Sequence, residues 1–199
     1  MRRRARPLLA GAAATRLTGI AAAGVGIALL AACSSDSDGA RRQPVAHEIG
    51  PAERVDVRFV ADGDTVQLTD GRWVRLVQID SPETGEGDEE CYGTRAREAL
   101  EAQLADADEI IVVADPALDD RDRFGRLLRY VYVDGGNVNR ALVQEGAVTV
   151  WFFRGDMGAV ADSLLAAARE ARARGLGLWG ACPGTPFDTD RGADTGAPG

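Results

Sequence analysis

Apolar and polar residues alternate through Val55-Asp56-Val57-Arg58-Phe59-Val60, and that two-residue period predicts a half-buried strand. Asp62-Gly63 then turns the chain. Residues 65–68 and 72–79 read as two more strands joined at Asp70-Gly71, a strong hairpin pair. The second of these is apolar on both faces, with Val74 and Leu76 on one and Trp73, Val77 and Ile79 on the other. It is therefore expected to be buried on both sides, and Arg75 falls in an otherwise apolar row. At residues 94–104 the period changes to helical, with Ala96, Ala99, Leu100 and Leu104 on one stripe. Residues 109–114 and 127–133 read as strands, separated by a charged loop over 115–126. A short helix over 138–145 closes at Gly146, and 147–153 is strand-like. Val160, Leu164, Ala168 and Ala171 mark a last amphipathic helix, with arginines toward its C-terminal end and Gly175 placed to cap it. Strands first, then strands mixed with helices, predict an α+β fold built on a small mixed barrel.

The periodic part spans residues 54–182, the size of one ordinary domain. Residues 34–53 lack periodicity and read as a flexible tether, with His47 an exposed linker residue rather than a ligand. Residues 183–199 are rich in Pro, Gly, Asp and Thr and are predicted to be disordered.

Charge divides the chain further. The 199 residues carry 23 basic and 31 acidic side chains, a net charge of −8, and every basic residue is Arg. Residues 1–32 hold five Arg and no acid, so the remainder carries −13. The basic start, the apolar run over 17–32 and its small residues are the marks of a secretory signal. Leu30-Ala31-Ala32-Cys33 resembles the bacterial lipobox, whose Cys is lipidated and becomes the mature N-terminus. A plain signal peptide or a short membrane helix is the plainer alternative. Residues 1–33 are thus expected to direct export and to anchor the protein by lipid to the outer face of the cell membrane. In an oxidising compartment Cys91 and Cys182 remain as a pair and are expected to form a disulfide, two separate buried thiols being the plainer alternative.

One His argues against a His-rich zinc site and against a Ser-His-Asp triad. The acidity argues against broad coating of nucleic acid, which basic charge drives. Asp62 and Asp64 bracket Gly63, and Asp80-Ser81-Pro82-Glu83 follows a strand. If the hairpin brings Asp64 to Asp80, the paired carboxylates call for a cation, and an all-oxygen set suits Ca²⁺ or Mg²⁺. The plain alternative is ordinary turn acids. Arg75 and Arg126 have the fork that clamps phosphate, although either one taken alone reads more readily as a salt-bridge partner.

Val60-Ala61-Asp62-Gly63-Asp64-Thr65-Val66, Arg75-Leu76-Val77-Gln78-Ile79-Asp80-Ser81-Pro82-Glu83, Tyr92-Gly93, Asp122-Arg123-Phe124-Gly125-Arg126, the run from Asn139 to Gly146, and Leu178-Trp179 resemble, in order and spacing, the staphylococcal nuclease (thermonuclease) family. The resemblance covers about residues 54–180. It implies a five-stranded OB-type β-barrel with three helices, and Ca²⁺-dependent hydrolysis of phosphodiester bonds in DNA or RNA. By position it implies Asp64 and Asp80 as carboxylate ligands of the metal and Ser81 as a backbone-oxygen ligand. Glu83 is then the general base, and Arg75 and Arg126 are the phosphate-binding arginines. It implies Phe124 and Phe152 in place of two tyrosines that line the nucleotide pocket. Stacking on a base survives that exchange, whereas hydroxyl hydrogen bonds to phosphate do not. The segment 84–90 is shorter and more acidic than the family's type member. A non-catalytic OB-fold module binding nucleic acid or protein is the competing reading, and the intact set of five charged residues favours the enzyme. A monomer is the default.

Overall fold

The computed structural model describes residues 46–85 and 89–196. The chain divides into two units, residues 1–40 and 41–199, and all described residues belong to the second. The signal segment, Cys33 and most of the tether therefore lie outside the described residues.

The domain begins earlier than the sequence pattern suggests. A single helical turn, α1 (Ala46–Ile49), carries exposed His47, and β1 (Ala52–Arg54) pairs antiparallel with β6 (Ile110–Val113). These residues belong to the folded unit rather than to the tether. Periodicity misses them because β1 is a short edge strand exposed along its length.

Strands β2 (Val57–Val60), β3 (Thr65–Leu68) and β4 (Trp73–Leu76) form an antiparallel meander. Strand β4 then lies parallel to β7 (Leu127–Val133), which pairs antiparallel with β6 and with the short β8 (Gly136–Asn137). The order β1-β6-β7-β4-β3-β2 is the α+β, OB-like sheet, although hydrogen bonding does not close it into a complete barrel. Helices α2 (Gly93–Leu104), α3 (Val138–Glu145) and α4 (Ala161–Ala173) are the three that the pattern predicts, with a further single turn at α5 (Leu178–Ala181). Leu100, Leu142 and Leu164, one from each long helix, are fully buried against Val66, Val74 and Leu76 of the meander in one core cluster.

The long second hairpin strand does not run to Ile79. It stops at Leu76, Gln78 takes a left-handed conformation (φ 65°), and Ile79–Asp80 pairs separately as β5 with β9 (Thr149–Val150). Two buried polar side chains hold this break. Asn139 accepts from Val131 N–H and donates to the Val77 carbonyl, both at 2.9 Å. Arg75 donates from Nη1 to the carbonyls of Leu76 (2.8 Å) and Ile79 (2.7 Å).

Residues 183–196, expected to be disordered, pack back along the domain. Phe187 lies against Trp179, with Arg172 over both rings. Thr189 and Asp190 accept from Phe152 N–H and from the Trp151 indole, and Thr195 and Gly196 bond the backbone of Cys91. The composition is polar, but this backbone finds partners and Phe187 supplies an apolar anchor. Cys91 and Cys182 are joined in a disulfide, with Cα atoms 5.9 Å apart.

Candidate active site

The two loops that carry the acids are sewn together. Asp64 N–H bonds the Asp62 carboxylate in the turn after β2, and Ser81 N–H donates to Asp64 Oδ2 at 2.7 Å. Gly63 N–H reaches Ser81 Oγ at 3.2 Å. A Cβ on Gly63 would stand 2.4 Å from that hydroxyl and 2.7 Å from Ala96, so only glycine lets the turns approach this closely. Asp64 and Asp80 are thereby brought onto one cation, the Arg75 guanidinium. Its Nη2 is 2.6 Å from Asp80 Oδ1 and 3.0 Å from Asp64 Oδ2. Arg75 and Asp64 are both buried.

Burial raises the pKa of Asp64 well above the ordinary carboxylate value despite Arg75, and Asp62 and Asp80 add to the rise. Asp80 is raised for the same first reason, against the pull of Arg75 and of a backbone bond from Ala193. Glu83 follows on the exposed side of the turn. Partial desolvation and the nearby charges of Asp62, Asp80 and Glu90 raise its pKa as well.

Arg126 reaches the same cluster from the other side. Asp122 organises the loop before β7, its Oδ1 accepting from the N–H groups of Phe124 and Arg126 and its Oδ2 from Arg126 Nε at 2.6 Å. Burial opposes ionisation of Asp122, but these bonds win and its pKa is lowered. Arg126 Nη1 then donates to Thr65 Oγ1 at 3.3 Å, and Thr65 donates to Asp64 Oδ1 at 2.9 Å. One chain of polar contacts thus runs from Arg126 through Thr65, Asp64 and Arg75 to Asp80.

Both arginines face a groove of about 590 Å³, which Phe124, Trp151 and Phe153 also line. Phe124 is 69% exposed at the rim, with the Arg126 guanidinium 5.5 Å from its ring centre. Phe152 does not line the groove. It is buried in the core, while its neighbours Trp151 and Phe153 meet edge to face at 5.7 Å on the groove side. Alternation along an extended chain could have found them, since a one-residue slip exchanges the two faces. Sequence reading also missed Thr65 as the link between the arginines. It missed Gln78, which lines the groove and whose Oε1 accepts from the buried Tyr130 hydroxyl at 2.7 Å.

Residues 73–181, more than half of the chain, match the family described as staphylococcal nuclease homologue. The chain belongs to the staphylococcal nuclease family. It is 33% identical over 147 residues to the SPbeta prophage-derived endonuclease YokF of Bacillus subtilis, covering 70% of this chain and 48% of that protein. It is 32% identical over 123 residues to endonuclease YncB of the same organism, covering 59% and 57%. An uncharacterized endonuclease of Haemophilus influenzae is 29% identical over 124 residues, covering 60% and 62%. The chain spans about half the length of the two Bacillus relatives.

This member of the staphylococcal nuclease family supplies oxygen donors alone where the family implies a metal. Asp64 and Asp80 crowd together in a desolvated place that raises both pKa values, and a hard cation relieves such crowding. The donor set therefore fits Ca²⁺. Among the described residues, no three Asp, Glu, His or Cys side chains form a ready-made cage, so any ion held here would need carbonyl or water oxygens to complete its coordination.

Proposed function

We propose that this protein is a Ca²⁺-dependent phosphodiesterase acting on DNA or RNA, tethered to the outer face of the cell membrane through Cys33. The observation that carries the reading is the convergence of Asp64 and Asp80 on Arg75, with Arg126 joined to the same cluster through Thr65 and with Glu83 beside it. Membership of a nuclease family and the printed names of the relatives support it.

Asp64, Asp80 and the Ser81 carbonyl would hold the ion, which when bound polarises a phosphoryl oxygen and acidifies water near it. Glu83 takes a proton from the attacking water as the new P–O bond forms. Its raised pKa makes it a better base near neutral pH than an ordinary Glu, and general-base help is worth about 10²–10⁴ in rate. Arg75 and Arg126 face the groove and meet the charge that builds on the phosphoryl oxygens. A guanidinium keeps its proton, so the departing oxygen takes one from solvent as the old P–O bond breaks. Trp151, Phe153 and Phe124 offer faces on which unpaired bases stack.

The test follows cleavage of single-stranded DNA and of RNA by the oxidised full chain, with Ca²⁺ and with chelator. Cleavage is expected only with the ion, and Glu83→Gln is expected to lower the rate at least about 10²-fold. Binding without turnover at every Ca²⁺ concentration would sink the enzyme in favour of an OB-fold binding module. Full activity in Glu83→Gln would remove only its assigned role.

A further inference from the structure

The C-terminal segment passes directly over Asp80. After Thr189 and Asp190 have bonded Phe152 and Trp151, Ala193 N–H donates to Asp80 Oδ2 at 2.8 Å. The main chain at Gly192 lies so close that a Cβ there would stand 2.3 Å from the same oxygen. Thr195 and Gly196 then fasten the segment to the backbone of Cys91. Cys91 is itself bonded to Cys182, from which the segment departs. The segment is thus held at both ends and touches Asp80 between them. With Arg75 on Oδ1, both oxygens of Asp80 have partners from within the chain.

A Ca²⁺ ion needs six to eight oxygens around it, and backbone pressed against one side of Asp80 takes up part of that sphere. We propose that residues 189–196 form an autoinhibitory strap, whose closed position over Asp80 competes with the divalent cation. The inference rests on the reading of Asp64 and Asp80 as the acids that hold the ion. Cation binding and strap opening are then one equilibrium, so the apparent affinity falls by the fraction of molecules with the strap open.

Isothermal titration with Ca²⁺ tests this on the oxidised full chain, on the same chain ended at Asp188, and on Gly192→Ala. The truncation removes the strap and keeps Phe187 on Trp179. The alanine evicts the strap with a single methyl group, because its Cβ meets Asp80 and its backbone must hold φ +79°. Both variants are expected to bind Ca²⁺ about tenfold or more tightly, as a strap closed nine-tenths of the time requires. Amide exchange at Ala193 in the full chain is expected to quicken when Ca²⁺ saturates. Equal affinity in all three chains overturns the strap and leaves the proposed nuclease standing. Weaker binding in the variants overturns it too, and makes the segment a support for Asp80. Failure of every chain to bind Ca²⁺ overturns both readings.

Discussion

Trp151 and Phe153 face the groove while Phe152, between them, is buried, so three consecutive aromatic side chains do two different jobs. Removing one of the outer pair takes away a stacking face, worth about 1–3 kcal/mol for each base. Trp151→Ala is therefore expected to raise KM for single-stranded DNA by at least about fivefold, with little change in the midpoint of urea unfolding. Phe152→Ala empties a core position and is expected to destabilise the fold by about 3–5 kcal/mol. Steady-state kinetics and denaturation curves on both variants check the pair. The opposite assignment, with KM moved chiefly by Phe152→Ala, would place the wrong ring in the groove.

The turn between β4 and β5 shows what one element needs in order to present a site. Asn139 has no exposure and serves two backbone groups, Val131 N–H and the Val77 carbonyl. Asn139→Leu leaves both without a partner, and each unsatisfied buried group costs about 1–3 kcal/mol. A loss of several kcal/mol is expected in chemical denaturation, together with weaker Ca²⁺ binding, since the turn carries Asp80 into place. The meander, the three long helices and the acidic loops were legible in the sequence because apolar period and turn residues act locally. The break at Gln78 was not. Nothing in Val77-Gln78-Ile79 announces it, and it is imposed by Asn139 from 62 residues away and by Arg75 bending back on its own strand. Arg75 did stand out as a charge in an apolar row, which was the sequence's one sign that this strand does more than pack. The order of residues 183–196 escaped notice for a related reason. A polar segment reads as solvated unless its backbone partners are known, and those lie on Cys91, Phe152, Trp151 and Asp80.

Across the whole molecule, a net charge of −8 leaves little long-range attraction for a polyanion. On the proposed function, substrate capture would then depend on the local arginines and the cation. The buried acids also set the response to pH. Asp64 and Asp80 have folded-state pKa values above the unfolded value of about 3.9, so in the window above that value the folded chain binds more protons than the unfolded one. Their contribution to stability therefore falls as pH rises through the window. Without Ca²⁺ the protein is expected to melt at a higher temperature at about pH 5 than at pH 7, and saturating Ca²⁺, which favours the ionised acids, should narrow the gap. Thermal melts at constant ionic strength test this. A cation-free stability that climbs from pH 5 to pH 7 would contradict it. Asp122 works in the other direction, since its lowered pKa gives stability that is lost only as the pH falls below about 4.

Arg75 holds Asp64 and Asp80 with the same guanidinium that faces the groove. On the proposed function, a cation arriving at those two acids would take over the neutralising work of Arg75 and release its fork toward a phosphate. A phosphate that engaged the fork first would leave the two acids short of positive charge and draw the cation in. Linkage requires the two effects to be equal in free energy, whichever ligand comes first. One side chain shared between two ligands would thus make each the other's positive effector, a coupling separate from the opening of the strap.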